Sequence, residues 1–299
     1  MSVETVNIGP VTVYLGAKSG KYPDGNQVIV RGADTAIAFD TPLVSLSIAD
    51  LLRSVDLVVL GHAHEDHLVG MHLIPRVPVQ APFADLEAVQ SEQGLAEHYG
   101  YRPQTLAKVM PKLITDFHFV PRPDATGYND GTVWALGGGV TVRAIHMPGH
   151  TSGHTVLLVE PGGIAFIGDI DLSGFGPYYG DATSNLAQFR RSMIEIEHLP
   201  AQVWITSHHK AVVRDRAKFV SMLHAFRQKV DERDDAIVAS LGKEARTLDE
   251  IAERRFVYPE DYSADFVPDV ERYCLVQHLE ALVSSGRVEL DGEKRYRRA

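Results

Sequence analysis

Three imidazoles and two carboxylates fall within six residues, His62-Ala63-His64-Glu65-Asp66-His67, directly after the apolar run 57–60. That crowding constrains the chain more than any other stretch. In an extended or loop backbone His62 and His64, two residues apart, point to the same side and can grip one cation. Asp66 and His67 then offer an oxygen and a nitrogen to a neighbouring ion. Residues 56–60 read as a short buried strand, which would hold the cluster rigidly at its carboxyl end.

The same device recurs three times. The strand expected at 140–146 runs into Pro148-Gly149-His150, and that at 164–167 ends at Gly168-Asp169. The strand at 203–207 delivers His208 and His209. Further strands are expected at 131–136 and 155–159. Four apolar strands, each ending in His or Asp, can assemble one site from distant sequence. His208 and His209 are adjacent, and motif spacing favours His208.

At 299 residues, with 44% hydrophobic and 23% charged residues, the composition is that of an ordinary globular protein. The net charge of -10 opposes a phosphate backbone overall, so nucleic acid is not expected as a partner. Cys274 is the one cysteine, so neither an intrachain disulfide nor a multi-thiolate zinc site can form. No run of about 18 apolar residues appears, and the expectation is a soluble, cytoplasmic protein without a membrane partner.

Residues 11–15, 27–31 and 35–40 read as an antiparallel meander. Asp40 could reach the metal cluster, but an acidic turn residue is the favoured reading. Helices are expected at 45–53 and from Leu68 onward, the latter carrying Asp66 and His67 in its first turn. Residues 82–122 form a mixed, largely helical insertion, read as a place for a substrate lid; its His98 and His118 receive no role. Residues 213–239 read as a long helix with a stripe of Phe219, Met222, Leu223, Phe226 and Val230. Thr247-Leu248-Asp249-Glu250 is a capping box opening a helix over 251–254, and a second helix spans 268–285. A hairpin with an Asp291-Gly292 turn closes the chain. The expected units are 1–212 and 213–299.

The ordered series His62-x-His64-x-Asp66-His67, His150, Asp169, His208 resembles the metallo-β-lactamase superfamily in its two-metal form. The resemblance covers about residues 10–215. It implies an α+β fold, a four-layer αββα sandwich with two divalent metal ions at one edge. Zinc is the expected metal, with iron and manganese open. His62, His64 and His150 would hold the first ion and Asp66, His67 and His208 the second, with Asp169 bridging. An Asp at the bridging position resembles the glyoxalase II, lactonase and nuclease branches more than antibiotic-hydrolysing members. The helix-helix-hairpin tail resembles the winged helix found on lactamase-beta-2-type proteins.

The implied chemistry is hydrolysis of an ester, thioester or lactone of a small acyl substrate by a metal-bridging hydroxide, with Asp66 as the catalytic carboxylate that orients the attack. A metal-dependent phosphodiesterase or ribonuclease is the alternative enzyme. A binding or sensor protein that keeps the metal site is the alternative outside catalysis. Glu65 is read as lying behind the ligands or at the surface, and His154 and His209 as partners of the ligands. Tyr178 or Tyr179, in the loop after Asp169, could serve as an oxyanion donor, but packing or a dimer contact is the favoured reading of such an aromatic loop. The tail is read as a wall of the site or a homodimer contact.

Overall fold

A computed structural model describes residues 3–299. Strands form where β-branched residues alternate, because each such run has two faces to bury. The first sheet takes β1 (Thr5–Ile8), β2 (Val11–Tyr14), β3 (Gln27–Arg31), β4 (Ala36–Phe39), β5 (Leu57–Val59), β6 (Val79–Pro82) and β7 (Thr126–Tyr128) in sequence order. Its pairs are antiparallel from β1 to β4 and parallel from β4 to β7. The second sheet takes β8 (Val133–Gly137), β9 (Val140–His146), β10 (Thr155–Glu160), β11 (Ile164–Phe166), β12 (Val203–Ile205) and β13 (Val212–Val213), ordered β13-β12-β11-β10-β9-β8.

The two sheets pack face to face. Val28, Val30 and Phe39 of the first meet Leu157, Val159 and Phe166 of the second in one buried cluster. The residues between them in sequence, Ile29, Ala38, Val156 and Leu158, turn outward and are buried beneath helices. The first sheet is covered by the helices Leu86–Gln90, Glu92–Tyr99 and Pro103–Asp116, the second by Leu186–Glu195 and the first half of Arg216–Ser240. Trp204 stacks on Phe219 with ring centroids 4.2 Å apart, fixing the long helix to β12. The result is helix, sheet, sheet, helix.

Two expected helices are tighter than read. Residues 45–53 are a 3-10 segment, Leu43–Ile48, followed by a single α-turn, Ala49–Leu52. Beyond the His cluster the chain makes two 3-10 segments, Glu65–His67 and Val69–Leu73. The cause is visible in the hydrogen bonds: the His67 carbonyl accepts from the backbone N–H and the hydroxyl of Thr41, so it is not the i+4 acceptor an α-helix requires. Residues 82–122 bury Val89, Leu95, Val109 and Leu113 in the main core, so this insertion is a packed wall and not a detached lid.

In the tail, Thr247 and Glu250 form the expected capping box at the head of Leu248–Ala252, and Val267–Ser284 stops before Gly286. The strands β14 (Arg246–Thr247), β15 (Val288–Leu290) and β16 (Arg295–Arg298) pair in the order β14-β16-β15. The turn after β15 differs from a two-residue Asp-Gly turn. It is four residues long, the Asp291 carboxylate accepts from the N–H groups of Glu293 and Arg295, and Lys294 takes the left-handed conformation. Ile237, Leu241, Ile251, Leu275, Leu279 and Val288 form a separate small core. No helix among the described residues is long and apolar enough to cross a membrane.

Candidate metal centre

The strand ends deliver their side chains to one edge of the sandwich. His62, His64, His150 and Asp169 form one group, and Asp66, His67 and His208 another, each with ligand atoms within 4.8 Å of one another. The two imidazole nitrogens His62 Nε2 and His150 Nε2 lie 3.2 Å apart, and His150 Nε2 is 3.4 Å from Asp169 Oδ2. In the second group His208 Nε2 is 3.0 Å from Asp66 Oδ2, and His67 Nε2 is 3.2 Å from Asp169 Oδ1. Asp169 thus turns one oxygen to each group.

The residues fit divalent cations on two counts. Ligand atoms sharing a tetrahedral zinc ion at 2.0–2.2 Å are about 3.3–3.5 Å apart, close to the spacings found here. His67 Nε2, His208 Nε2 and Asp169 Oδ1 are also buried with no hydrogen-bond partner, although they face one another. Such orphaned atoms cost about 1–3 kcal/mol each unless something is shared between them.

In four of the five imidazoles the other ring nitrogen is fixed from behind, which sets the tautomer presented to the cluster, while His62 Nδ1 has no partner. His67 Nδ1 meets Asp40 Oδ2 at 2.8 Å, and His64 Nε2 meets Asp181 Oδ2 at 2.8 Å. The carbonyl of Tyr178 accepts from His150 Nδ1 at 3.0 Å. Those of Gly20 and Asp24 accept from His208 Nδ1 at 2.9 and 2.8 Å. His64 therefore offers Nδ1, and His67, His150 and His208 offer Nε2.

Charge within the cluster follows from this crowding. Burial pushes His208 down, but the carboxylates of Asp169 and Asp66 prevail and raise it to about 10. Burial likewise opposes, and the Asp181 hydrogen bond and charge outweigh it, in lifting His64 to about 9. Asp169 would be raised by burial, yet His208, His67 and His62 hold it well below the carboxylate range. Buried carboxylates here demand positive charge, which protons or divalent cations can meet.

Several readings are corrected. Asp40 is no surface turn residue: it is buried, Oδ1 accepts from Gly61 N–H at 2.7 Å, and Oδ2 holds His67. Tyr179 is fully buried away from the cluster, its hydroxyl 2.7 Å from His278 Nε2. The Tyr178 hydroxyl instead donates to Asp181 Oδ1 at 2.9 Å, so in this structure it serves the partner of His64. His209 stands outside both groups, half-buried, with Nε2 3.6 Å from Asp171 Oδ2. His154 supports the cluster through the backbone: Nδ1 donates to the Met147 carbonyl and Nε2 accepts from Asp169 N–H at 3.2 Å. Burial holds it neutral, down to about 3. Gly168 is required there, since at φ +54 a Cβ would lie 2.6 Å from His154 Nε2. Glu65 lies behind the ligands, its carboxylate accepting from the hydroxyls of Tyr22 and Tyr99.

Four residues carried no signal in the sequence. Asp181, Tyr99 and Tyr101 surround His64, with Tyr101 donating to Asp181 Oδ1 at 2.8 Å. Asp85 accepts from Ala63 N–H, Gly153 N–H and the Thr151 hydroxyl, tying the first ligand loop to the third. His98, given no role, is buried with its ring 5.6 Å from that of His64.

A sheet sandwich flanked by helices, with this His/Asp cluster at one edge, defines a class of metal-dependent proteins, and sequence comparison assigns the family. Residues 33–208 match the family model described as Metallo-beta-lactamase superfamily, and the chain belongs to that superfamily, whose members are mostly metal-dependent hydrolases. The chain is 21% identical to a metallo-beta-lactamase family protein of Thermus thermophilus, with a TM-score of 0.64 over 100% of this chain and 98% of that one. A beta-lactamase domain protein of Burkholderia ambifaria gives a TM-score of 0.68 at 18% identity, over 99% and 94%. An atrochrysone carboxyl ACP thioesterase of Pseudocercospora fijiensis (strain CIRAD86) is 24% identical over 172 residues, 56% of this chain. The chain spans about half the length, 49%, of that curated relative.

Proposed function

We propose that the protein is a two-metal hydrolase of esters, thioesters or lactones, zinc being the first choice of metal. The observation that carries this reading is Asp169, which turns one carboxylate oxygen to each ligand group. His62, His64 and His150 would hold one cation and Asp66, His67 and His208 the other, with Asp169 shared. When bound, such a pair supplies a water acidified toward neutrality and a Lewis acid for the carbonyl oxygen.

The remaining work falls to the chain. Asp66, beside His208 and His67, is the carboxylate that would orient the attacking water. The carbonyls and carboxylates behind His64, His67, His150 and His208 hold those rings in one tautomer and one orientation. The thioesterase relative supports acyl chemistry.

The tail is read as a winged helix that walls the site rather than one that grips nucleic acid. The helix Val267–Ser284, the expected recognition helix, carries Asp269, Glu271 and Glu280 against Arg272 alone, and Arg272 is itself paired with Asp249, so that helix offers phosphates little positive charge.

The test compares initial rates on an acyl thioester, an acyl lactone and a bis-aryl phosphodiester, each with and without chelator, alongside metal content. Chelator-sensitive cleavage of a carbonyl substrate and two metals per chain are expected. Cleavage of the phosphodiester alone would replace this reading with the phosphodiesterase one.

A further inference from the structure

Near the metal-ligand cluster stands a set of aromatic rings drawn from four distant parts of the chain. Tyr22, in the loop 17–26, is 44% exposed, yet its hydroxyl donates to Glu65 Oε1 at 3.0 Å and its ring lies 6.4 Å from that of His208. With the hydroxyl turned inward, the tyrosine offers its ring face. Phe117, at the end of Pro103–Asp116, lies 6.3 Å from it. The tail supplies Tyr258, stacked on Tyr262 at 5.1 Å and 15°, and Phe175 of the loop after Asp169 packs on Tyr258 at 5.3 Å. Phe175 lies on the loop between Asp169 and Tyr178, whose carbonyl holds His150, so its packing on Tyr258 ties the tail rings to the loop that backs the cluster.

The segment bearing Tyr258 is held in place by a dedicated anchor. Glu271, 3% exposed in the middle of Val267–Ser284, accepts from three successive backbone N–H groups, those of Phe256, Val257 and Tyr258. Arg255 closes the other side through the carbonyls of Pro259, Glu260 and Tyr262. A buried carboxylate committed to three consecutive N–H groups fixes the loop's backbone, and so the direction of its ring. Packing alone would not need this: Tyr262 and Phe175 remain 41% and 37% exposed.

We propose that Tyr22, Phe117, Phe175, Tyr258 and Tyr262 form the acyl-recognition face of the site, that it takes an acyl group bearing an aromatic ring, and that Glu271 is its positioning residue. Flat rings at stacked and tilted angles present edges and faces to a planar ring, whereas an alkyl chain gains only area from them. The proposal rests on the hydrolase reading for the nature of the bond that is cleaved, and on the aromatic face alone for the group that is bound.

The test uses the metal-loaded full chain and 4-nitrophenyl esters of acetate, hexanoate and 3-phenylpropanoate, which share one leaving group. Wild type is expected to favour 3-phenylpropanoate over hexanoate by about tenfold in kcat/KM, the scale of ring-on-ring contact. Tyr258→Ala and Tyr262→Ala should remove most of that preference through KM while leaving acetate within about twofold, and Tyr258→Phe should keep it. Glu271→Gln should raise KM for 3-phenylpropanoate without changing metal content. Equal rates on hexanoate and 3-phenylpropanoate, or equal losses on all three esters in the alanine variants, would overturn the proposal while leaving the hydrolase reading intact. Conversely, where no ester is cleaved, calorimetric binding of 3-phenylpropanoate to wild type and its loss in Tyr262→Ala would sustain the aromatic face, and absence of binding would end it.

Discussion

Whether a histidine in this chain serves the cluster depends on what holds its second nitrogen. His208 and His209 are chemically identical neighbours, yet two backbone carbonyls fix His208 Nδ1 so that Nε2 faces Asp66, while His209 turns out toward Asp171. His208→Ala should therefore lose one metal equivalent, measured by elemental analysis after dialysis, and His209→Ala should keep both; the reverse pattern would refute the ligand assignment. Asp181 poses the same question one step further back. It holds His64 Nε2 and is itself held by Tyr101 and Tyr178, so Asp181→Asn should weaken metal affinity by about 10–100-fold, read by competition with a chromophoric chelator. Unchanged affinity would make the pair incidental. The side chains that converge at the sheet edge were legible in sequence because each follows an apolar strand at a glycine or a short motif. Asp181 and Asp85 were not, because a carboxylate that reaches its partner across 117 or 66 residues leaves no local pattern.

Between elements, the long helices act on the site from behind. Arg233 of Arg216–Ser240 donates to the carbonyls of Phe175 and Pro177 and to the Tyr179 hydroxyl, and the Tyr179 hydroxyl in turn meets His278 of Val267–Ser284. His278 Nδ1 faces Asp234 at 2.6 Å, and Asp234 is also paired with Arg190. The loop that carries Tyr178, whose carbonyl orients His150, is thereby clamped to both helices. Burial lowers His278 below its ordinary value despite Asp234, with Arg233 and Arg190 pushing the same way. A histidine held down in the folded state gives stability that is whole above the unfolded value of about 6.5 and is lost as pH falls through the folded one. Metal-loaded wild type should thus lose denaturant resistance between pH 7 and 5 more steeply than His278→Gln; parallel curves would show that the histidine is not titrating. Strand periods made the sandwich readable. The 3-10 turns after the His motif were not, since Thr41 takes the His67 carbonyl from the far side of β4.

At the scale of the molecule the cluster is a fastening between two sheets. His62, His64, Asp66 and His67 follow β5 of the first sheet, whereas His150, Asp169 and His208 follow β9, β11 and β12 of the second. Cations bound there would add to the apolar interface of Phe39, Phe166 and their neighbours and to the backbone hydrogen bonds, from Thr155 N–H to the Gly61 carbonyl and from Asn26 N–H to the Ser207 carbonyl, that already join the sheets. The unfolded chain separates these ligands by up to 146 residues (208 minus 62) and has no comparable site, so binding stabilises the folded state alone. At free metal about 1,000 times the dissociation constant each site adds about 4 kcal/mol, so two sites together shift the melting midpoint of a chain of this size by about 10 °C. Stripping with chelator should lower the calorimetric midpoint by at least that much, and returning zinc should restore it. The inter-sheet core is apolar and packs without any cation, so the stripped protein should still melt cooperatively. A midpoint indifferent to chelator in a sample shown to have lost its metal would mean that the seven side chains are held by the core alone, and the two-sheet fastening would have to be abandoned.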